Sequence, residues 1–281
     1  MLRLTALNIY PVKSCRGVAV TSAEVDARGF VGDRHFLVVD AAGRFLTQRA
    51  HPRMTLIETG LGDGALTLSA SGVGSVSVAV GQALRPTVGD KPRPTVTVTI
   101  WKDTVTANDC GGEPAAWLSE FLGLPCRLVR AGAAYARPIP ARKLPSTLHL
   151  EPYTAHEVSF ADGFPFLAIS EESLADLNRR LDAPLPMNRF RPNLVVAGGA
   201  PYAEDAWGRF RIGSVVFHGA TRCGRCVVTT TDQLTAARGQ EPLRTLATYR
   251  RDAAGDVMFG RNLIHETKTG RLAVGDEIQL L

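Results

Sequence analysis

Short β-forming runs, cut apart by Gly, Asp and Pro, occupy nearly all of the first hundred residues: 19–25, 35–39, 65–69 and 76–80. Thr95-Val-Thr-Val-Thr-Ile-Trp101 alternates polar and apolar positions most cleanly. A period of two puts successive side chains on opposite faces of a strand, so each run buries one face and wets the other. Strands this short, joined by turns at this spacing, form a small barrel or sandwich. The first helix is expected at 113–122: Pro114 suits the first helical position, Trp117, Leu118, Phe121 and Leu122 share a face, and Gly123 closes it.

The second half mixes strands with short helices. From 133 to 157, Pro138, Pro140, Pro145 and Pro152 interrupt the chain, and Arg137, Arg142 and Lys143 add charge; this is a surface linker or a functional loop beside a site. Trp101 and Trp207, with this Pro-rich segment, are candidates for shaping a site entrance. Ser170 is placed to cap a helix with Glu171 and Glu172 in its first turn and Leu174, Leu177 and Leu181 on its buried stripe. Strands are expected at 194–197 and 214–218, a last helix opens at Pro242 with Leu243 and Leu246 inward, and 271–281 ends the chain as a strand. The fold class is α+β, mainly β, divided into a barrel-like unit over 1–125 and a second β unit over 126–281.

Composition narrows the function. The 281 residues are 45% hydrophobic and 21% charged, ordinary for a globular protein, and the net charge of +5 suits an anionic ligand or one acidic partner but argues against nucleic acid. No apolar run approaches the ~18 residues that cross a bilayer, and Met1–Tyr10 is too interrupted for a signal segment, so no membrane association is expected. Five Cys, an odd number and sparse for the length, point to a reducing, cytoplasmic setting.

Four clusters carry chemistry. In Thr221-Arg-Cys-Gly-Arg-Cys-Val-Val-Thr-Thr-Thr-Asp232, Cys223 and Cys226 lie among Arg222 and Arg225 and are followed by a β-branched run. Nearby guanidiniums favour the thiolate, which binds soft metals. The segment sits on or beside a sheet, not at the helix start of a thioredoxin-type motif, which favours ligation over disulfide exchange. Three readings stand: an inert buried pair, half of a structural zinc site completed by Cys15, Cys110, Cys126 or a His, or one Cys as ligand to a thiol-preferring metal or cofactor. Asn188-Arg-Phe-Arg-Pro-Asn193 offers fork-shaped anion donors, or only strand-edge charges. Tyr10-Pro-Val-Lys-Ser-Cys15 with Gly32-Asp-Arg34 supplies Lys13, Ser14 and Arg34 to a phosphate, unless Asp33 merely pairs Arg34 at the surface. Ser159-Phe-Ala-Asp-Gly-Phe-Pro165 makes a turn at Asp162 and Gly163 before a strand.

Taken in order with Glu241-Pro-Leu-Arg-Thr-Leu246 and Phe259-Gly-Arg-Asn262, these motifs resemble the MOSC family over nearly the whole chain. They are nearest to its bacterial reducers of N-hydroxylated compounds and to the mitochondrial amidoxime reducing component. The resemblance implies a MOSC N-terminal β-barrel region packed on a MOSC β-barrel domain, and an oxidoreductase that uses a molybdenum cofactor (Mo-molybdopterin). By that resemblance Cys226 ligates the metal and is the catalytic residue. Lys13, Ser14, Arg34, Arg191 and Asn193 hold the pterin and its phosphate. Gly224 and Arg225 assist beside the ligand, Asp162 and Asn262 lie near the cofactor, and Cys223 matches a non-ligating position.

The implied substrates are small N-hydroxylated compounds: hydroxylamines, amidoximes or N-hydroxylated bases. No Cys-x4-Cys-x2-Cys run of a ferredoxin module follows, so electrons are expected from a separate ferredoxin, flavodoxin or cytochrome b5-like protein. The vertebrate members carry a further Cys where this chain has Gly199. A different function in the same family, carriage of sulfur as a Cys persulfide for metallocluster assembly, is the alternative.

Overall fold

The computed structural model describes residues 1–62, 64–80, 94–145 and 156–281. These residues build four sheets and three α-helices, so the chain is mainly β, as expected. The largest sheet has eight strands in the order Ile278–Leu280, Arg209–Ile212, Val215–Gly224, Met258–His265, Phe166–Ser170, Leu194–Ala197, Arg3–Ile9, Val18–Val20. Phe166–Ser170 and Leu194–Ala197 pair in parallel. Parallel neighbours need a crossover, and helix Glu171–Asn178 supplies it, with the Ser170 side chain accepting from the Ser173 N–H. A second sheet runs Phe36–Asp40, Cys126–Arg130, Asp103–Asp109, Thr95–Ile100; a third runs Glu58–Gly62, Ala65–Ala70, Gly74–Ala79; and a fourth runs Gly270–Ala273, Ser22–Asp26, Gly29–Phe30.

The chain's start is woven into its end. Arg3–Ile9 pairs with Leu194–Ala197, and Ser22–Asp26 pairs with Gly270–Ala273. The Tyr10–Cys15 turn therefore emerges beside the start of Leu194–Ala197, and Tyr10 Oη donates to the Pro192 carbonyl. The sheets do not divide at residue 125: Cys126–Arg130 pairs with Phe36–Asp40, and Leu128, Val129, Tyr135 and Phe160 pack in the cores of the N-terminal sheets.

The core of the eight-stranded sheet is aromatic. Phe166 meets Phe217 edge-on at 5.3 Å, and Phe217 stacks on Phe210 at 5.6 Å. Each such side chain contributes about 1.5–3 kcal/mol by burial. Trp207 belongs to this core and is 4% exposed, so it does not shape an entrance. Its N–H-bearing ring is spent on packing against Phe210 at 4.9 Å.

Helix Gly112–Leu122 buries Trp117, Leu118 and Phe121 and ends at Gly123 in the left-handed region (φ 72°). It begins one residue earlier than expected, which puts Pro114 third, not first; the missing N–H is still one of the unpaired donors of the first turn. The β-branched run after Cys226 forms a 3-10 turn, Val227–Thr230, not a strand, because Thr229 and Thr230 hydroxyls bond back to the Cys226 and Val227 carbonyls. The final segment is two strands, Gly270–Ala273 and Ile278–Leu280, since Gly275 (φ 99°) turns the chain between them. Of the Pro-rich stretch, 146–155 with Pro152 lies outside the described residues; Ala141–Lys143 is a 3-10 turn. Among the described residues no helix is long and apolar enough to cross a membrane.

Candidate functional site

An open cleft lies where the end of Val215–Gly224, the starts of Phe166–Ser170 and Leu194–Ala197, and the Lys13 and Arg34 turns converge. It holds about 900 Å³ of space, part of it open to solvent. Every residue that the sequence nominated lines it: Cys226, Lys13, Ser14, Arg34, Asp162, Arg191, Asn193, Gly224, Arg225 and Asn262.

The inner end is buried and heavily bonded. Arg34 pairs with Asp33 and donates to Asn193 Oδ1 at 2.8 Å. Asp33 is 5% exposed and also accepts the Tyr10 N–H at 2.8 Å, so its pairing with Arg34 is an interior ion pair and not a surface one. Guanidiniums of Arg34 and Arg191 lie over the Tyr10 ring at 4.4 and 4.3 Å. Burial pushes the Tyr10 hydroxyl up to about 12, with Arg191 and Arg34 pulling the other way. Burial also lowers Arg191 from its usual value. Asn193, 1% exposed, ties the two strand starts together: its N–H donates to the Leu167 carbonyl at 2.9 Å and its amide donates to the Asn8 carbonyl at 3.2 Å.

Backbone strain concentrates here. Ser14 (φ 70°), Arg34 (φ 48°) and Arg191 (φ 56°) are left-handed without being glycine, as is Trp101 (φ 56°) just outside. Each costs about 1–2 kcal/mol, which packing elsewhere must offset, and such residues gather at functional sites. Gly260 (φ 84°) lets the Asn262 strand approach Phe166–Ser170: an added Cβ would lie 2.6 Å from Ile169. Asn262 then donates to Thr221 Oγ1 at 3.1 Å.

Lys13 is 6% exposed and bonds the Phe160 carbonyl at 2.9 Å and the Asp162 carboxylate. Burial lowers the Lys13 pKa, and the facing Asp162 opposes that shift. Asp162 opens on the cleft, with its side chain 64% exposed. Crowding by the wall raises its pKa, but that effect is tempered by the exposure. Lys13, Arg49 and the Trp101 N–H hold the carboxyl well below its ordinary range. Arg137, 5% exposed, braces this loop through the Ser159, Ala161 and Asp162 carbonyls.

The outer end carries the thiols. Cys223 and Cys226 are both half-buried and free. Arg225 donates to Cys223 Sγ at 3.1 Å and to the Phe190 carbonyl at 2.6 Å. Arg49 donates to Cys226 Sγ at 3.2 Å. Cys15, Cys110 and Cys126 are packed in the N-terminal core, and burial pushes the Cys15 thiol up to about 12. Among the described residues no group of three or more His, Cys, Asp or Glu is gathered to hold a metal, so the zinc reading lacks its remaining ligands there.

Sequence reasoning missed Arg49 and Thr47, left Tyr10 without a role and gave Trp101 only a place at the entrance. Arg49 carries no local pattern; its contact with Cys226 spans 177 residues. Trp101 was visible as the end of an alternating strand, but its bond to Asp162 Oδ1, at 3.2 Å, is tertiary.

The MOSC N-terminal beta barrel domain matches residues 1–125, and the MOSC domain matches 155–279. Mitochondrial amidoxime-reducing component 1 of Mus musculus is 35% identical over 285 residues, covering 97% of this chain and 80% of that protein. The Homo sapiens protein of the same name is 34% identical, covering 97% and 81%. Molybdenum cofactor sulfurase of Danio rerio is 34% identical over 94% of this chain but only 32% of its own length. With both domains matched in sequence order and whole-chain relatives at this identity, the chain belongs to the MOSC family.

Proposed function

We propose that this chain is a molybdenum-cofactor-dependent reductase of N-hydroxylated compounds, in which 1–125 supplies Lys13, Ser14 and Arg34 and 126–281 carries the cysteine. The observation that carries the reading is charge and donor type in one cleft: Lys13, Arg34, Arg49, Arg191 and Arg225 line it against the single carboxylate of Asp162, with two half-buried thiols at its rim, Cys223 and Cys226, of which the family resemblance makes Cys226 the ligand. An excess of cations around a concave surface calls for a polyanionic ligand. A lone protein thiolate suits a metal whose other sulfur ligands come with the ligand itself. The residues present therefore fit a phosphorylated pterin that brings its own dithiolene.

When bound, that cofactor supplies two-electron exchange with the N–OH bond. Lys13, Arg34 and Arg191 hold the phosphate, each charge-assisted bond contributing about 1.5–3 kcal/mol, and Ser14 and Asn193 add neutral donors. Gly224 and Arg225 shape the wall beside Cys226, and Asn262 faces the cleft from the next strand. Asp162 stays ionised at any working pH, so it accepts hydrogen bonds from the N–H groups of an amidine-like substrate and does not give up a proton. Conversion of N–OH to N–H takes two electrons and two protons and releases water. The electrons come from a separate donor protein, and the protons come from solvent through the open cleft. A reducing, cytoplasmic compartment suits the five free thiols.

The similarity to a molybdenum cofactor sulfurase favours one second reading, a persulfide carried on Cys226. Metal and pterin analysis of protein from a host that makes the cofactor separates the two. Near-stoichiometric molybdenum and pterin, with amidoxime turnover that Cys226→Ser abolishes, supports the reductase. A Cys226 persulfide without metal or pterin overturns it.

A further inference from the structure

Arg49 lines the cleft, and its charge helps hold the Asp162 carboxyl low. Its guanidinium makes two direct contacts. One terminal nitrogen lies 3.2 Å from Cys226 Sγ, and the plane lies over the Trp101 ring at 4.4 Å. Both partners are held in place. Trp101 sits in the left-handed region (φ 56°), packs edge-on to Phe45 at 4.8 Å and donates its indole N–H to Asp162 Oδ1 at 3.2 Å. The Arg49 backbone is pinned as well: its N–H bonds Thr47 Oγ1 at 3.2 Å and its carbonyl accepts from Arg238. A lysine provides a point charge but neither the stack nor the directional fork. The arrangement thus aims one particular donor at one particular sulfur, from the opposite domain.

We propose that Arg49 is a positioning residue that acts through Cys226: its N–H···S hydrogen bond orients the sulfur and sets the redox poise of the metal that the sulfur ligates. Hydrogen bonds to ligating sulfurs are among the factors that set reduction potentials, and groups outside the ligand shell orient ligands and tune the metal. Withdrawing electron density from the sulfur favours the reduced metal, so the bond raises the potential. The part concerning poise rests on the molybdenum reading; the part concerning Cys226 does not.

The test has two arms. In protein from a host unable to make the cofactor, labelling of each cysteine by iodoacetamide at fixed pH is followed by peptide mass spectrometry. Cys223, bonded to Arg225, is the internal reference. Arg49→Met changes the Cys226-to-Cys223 labelling ratio about tenfold, roughly the worth of one hydrogen bond to the sulfur, and Arg49→Lys restores part of it. A wild-type Cys226-to-Cys223 ratio in Arg49→Met overturns the proposal, and since both thiols share one segment, general unfolding cannot mimic the expected change. In protein from a competent host, potentiometric titration of the molybdenum signal gives a lower potential in Arg49→Met, with Arg49→Lys intermediate and metal content unchanged. An unshifted potential overturns the role in redox poise. A changed labelling ratio in a protein that takes up no molybdenum supports the Arg49–Cys226 link and overturns only the reductase reading.

Discussion

The two ends of the cleft are built in opposite ways. At the inner end the partly buried Arg34 and the buried Asp33, Tyr10 and Asn193 form a closed web of ion pairs, hydrogen bonds and ring contacts, on strained backbone. At the outer end Cys226 is half-exposed, precedes a short 3-10 turn, and takes one side-chain hydrogen bond, from Arg49. Val227 beside it is 47% exposed. The difference teaches where precision resides. A ligand anchored at the inner end meets groups that cannot relax, whereas the thiol end keeps open space for a second molecule to enter. Stability and chemistry should therefore separate under mutation.

The largest expected effect is at the outer end. Cys226→Ser abolishes amidoxime turnover yet leaves the melting midpoint nearly unchanged, within about 0.5 kcal/mol, because a half-exposed thiol contributes little packing; turnover assays and thermal melts on the same preparation check both halves. Arg34→Ala costs stability as well as ligand binding. It strands the buried Asp33 carboxylate, and an uncompensated interior charge costs about 3–5 kcal/mol, read by urea denaturation. If Arg34→Ala is as stable as wild type, the contrast between the ends collapses.

A smaller effect comes from the sheet behind the cleft. Burial first, and then the nearby Lys268 charge, lower the His265 pKa from 6.5 to about 3. The folded pKa is depressed, so the stability it represents is fully present above about 6.5 and is lost as pH falls toward 3. At pH 5 the loss is about 2 kcal/mol. Thermal melts between pH 7 and 5 should fall in wild type and fall less in His265→Gln. The smallest effect serves as a control outside the cleft: Arg127→Ala breaks an exposed pair with Asp109 and should change stability by no more than about 0.5 kcal/mol and turnover not at all.

Much of the fold was legible because it is written locally. The alternation at Thr95–Ile100, the cap at Ser170 and the left-handed Gly123 each act through neighbours in sequence. The differences arose in two ways. Short-range hydroxyl-to-carbonyl bonds, which compete with strand formation, turned the β-branched run after Cys226 into a 3-10 turn, and distant aromatic packing took Trp207 into the core. The cleft residues were legible only through their shared resemblance; nothing local joins Lys13, Arg34 and Arg191.

Residue chemistry and spacing by themselves determined the strand-rich character of this protein, its pair of soft donors at Cys223 and Cys226 and its supply of cations before strands. Those properties depend on side-chain type and on near neighbours, which a linear chain contains. Tertiary structure alone decided that Arg49 meets Cys226 across 177 residues, that Trp101 bonds Asp162 across 61 and that Asp33 is buried. Such contacts exist only once the sheets have packed, because loop closure brings the partners together and local sequence carries no record of it.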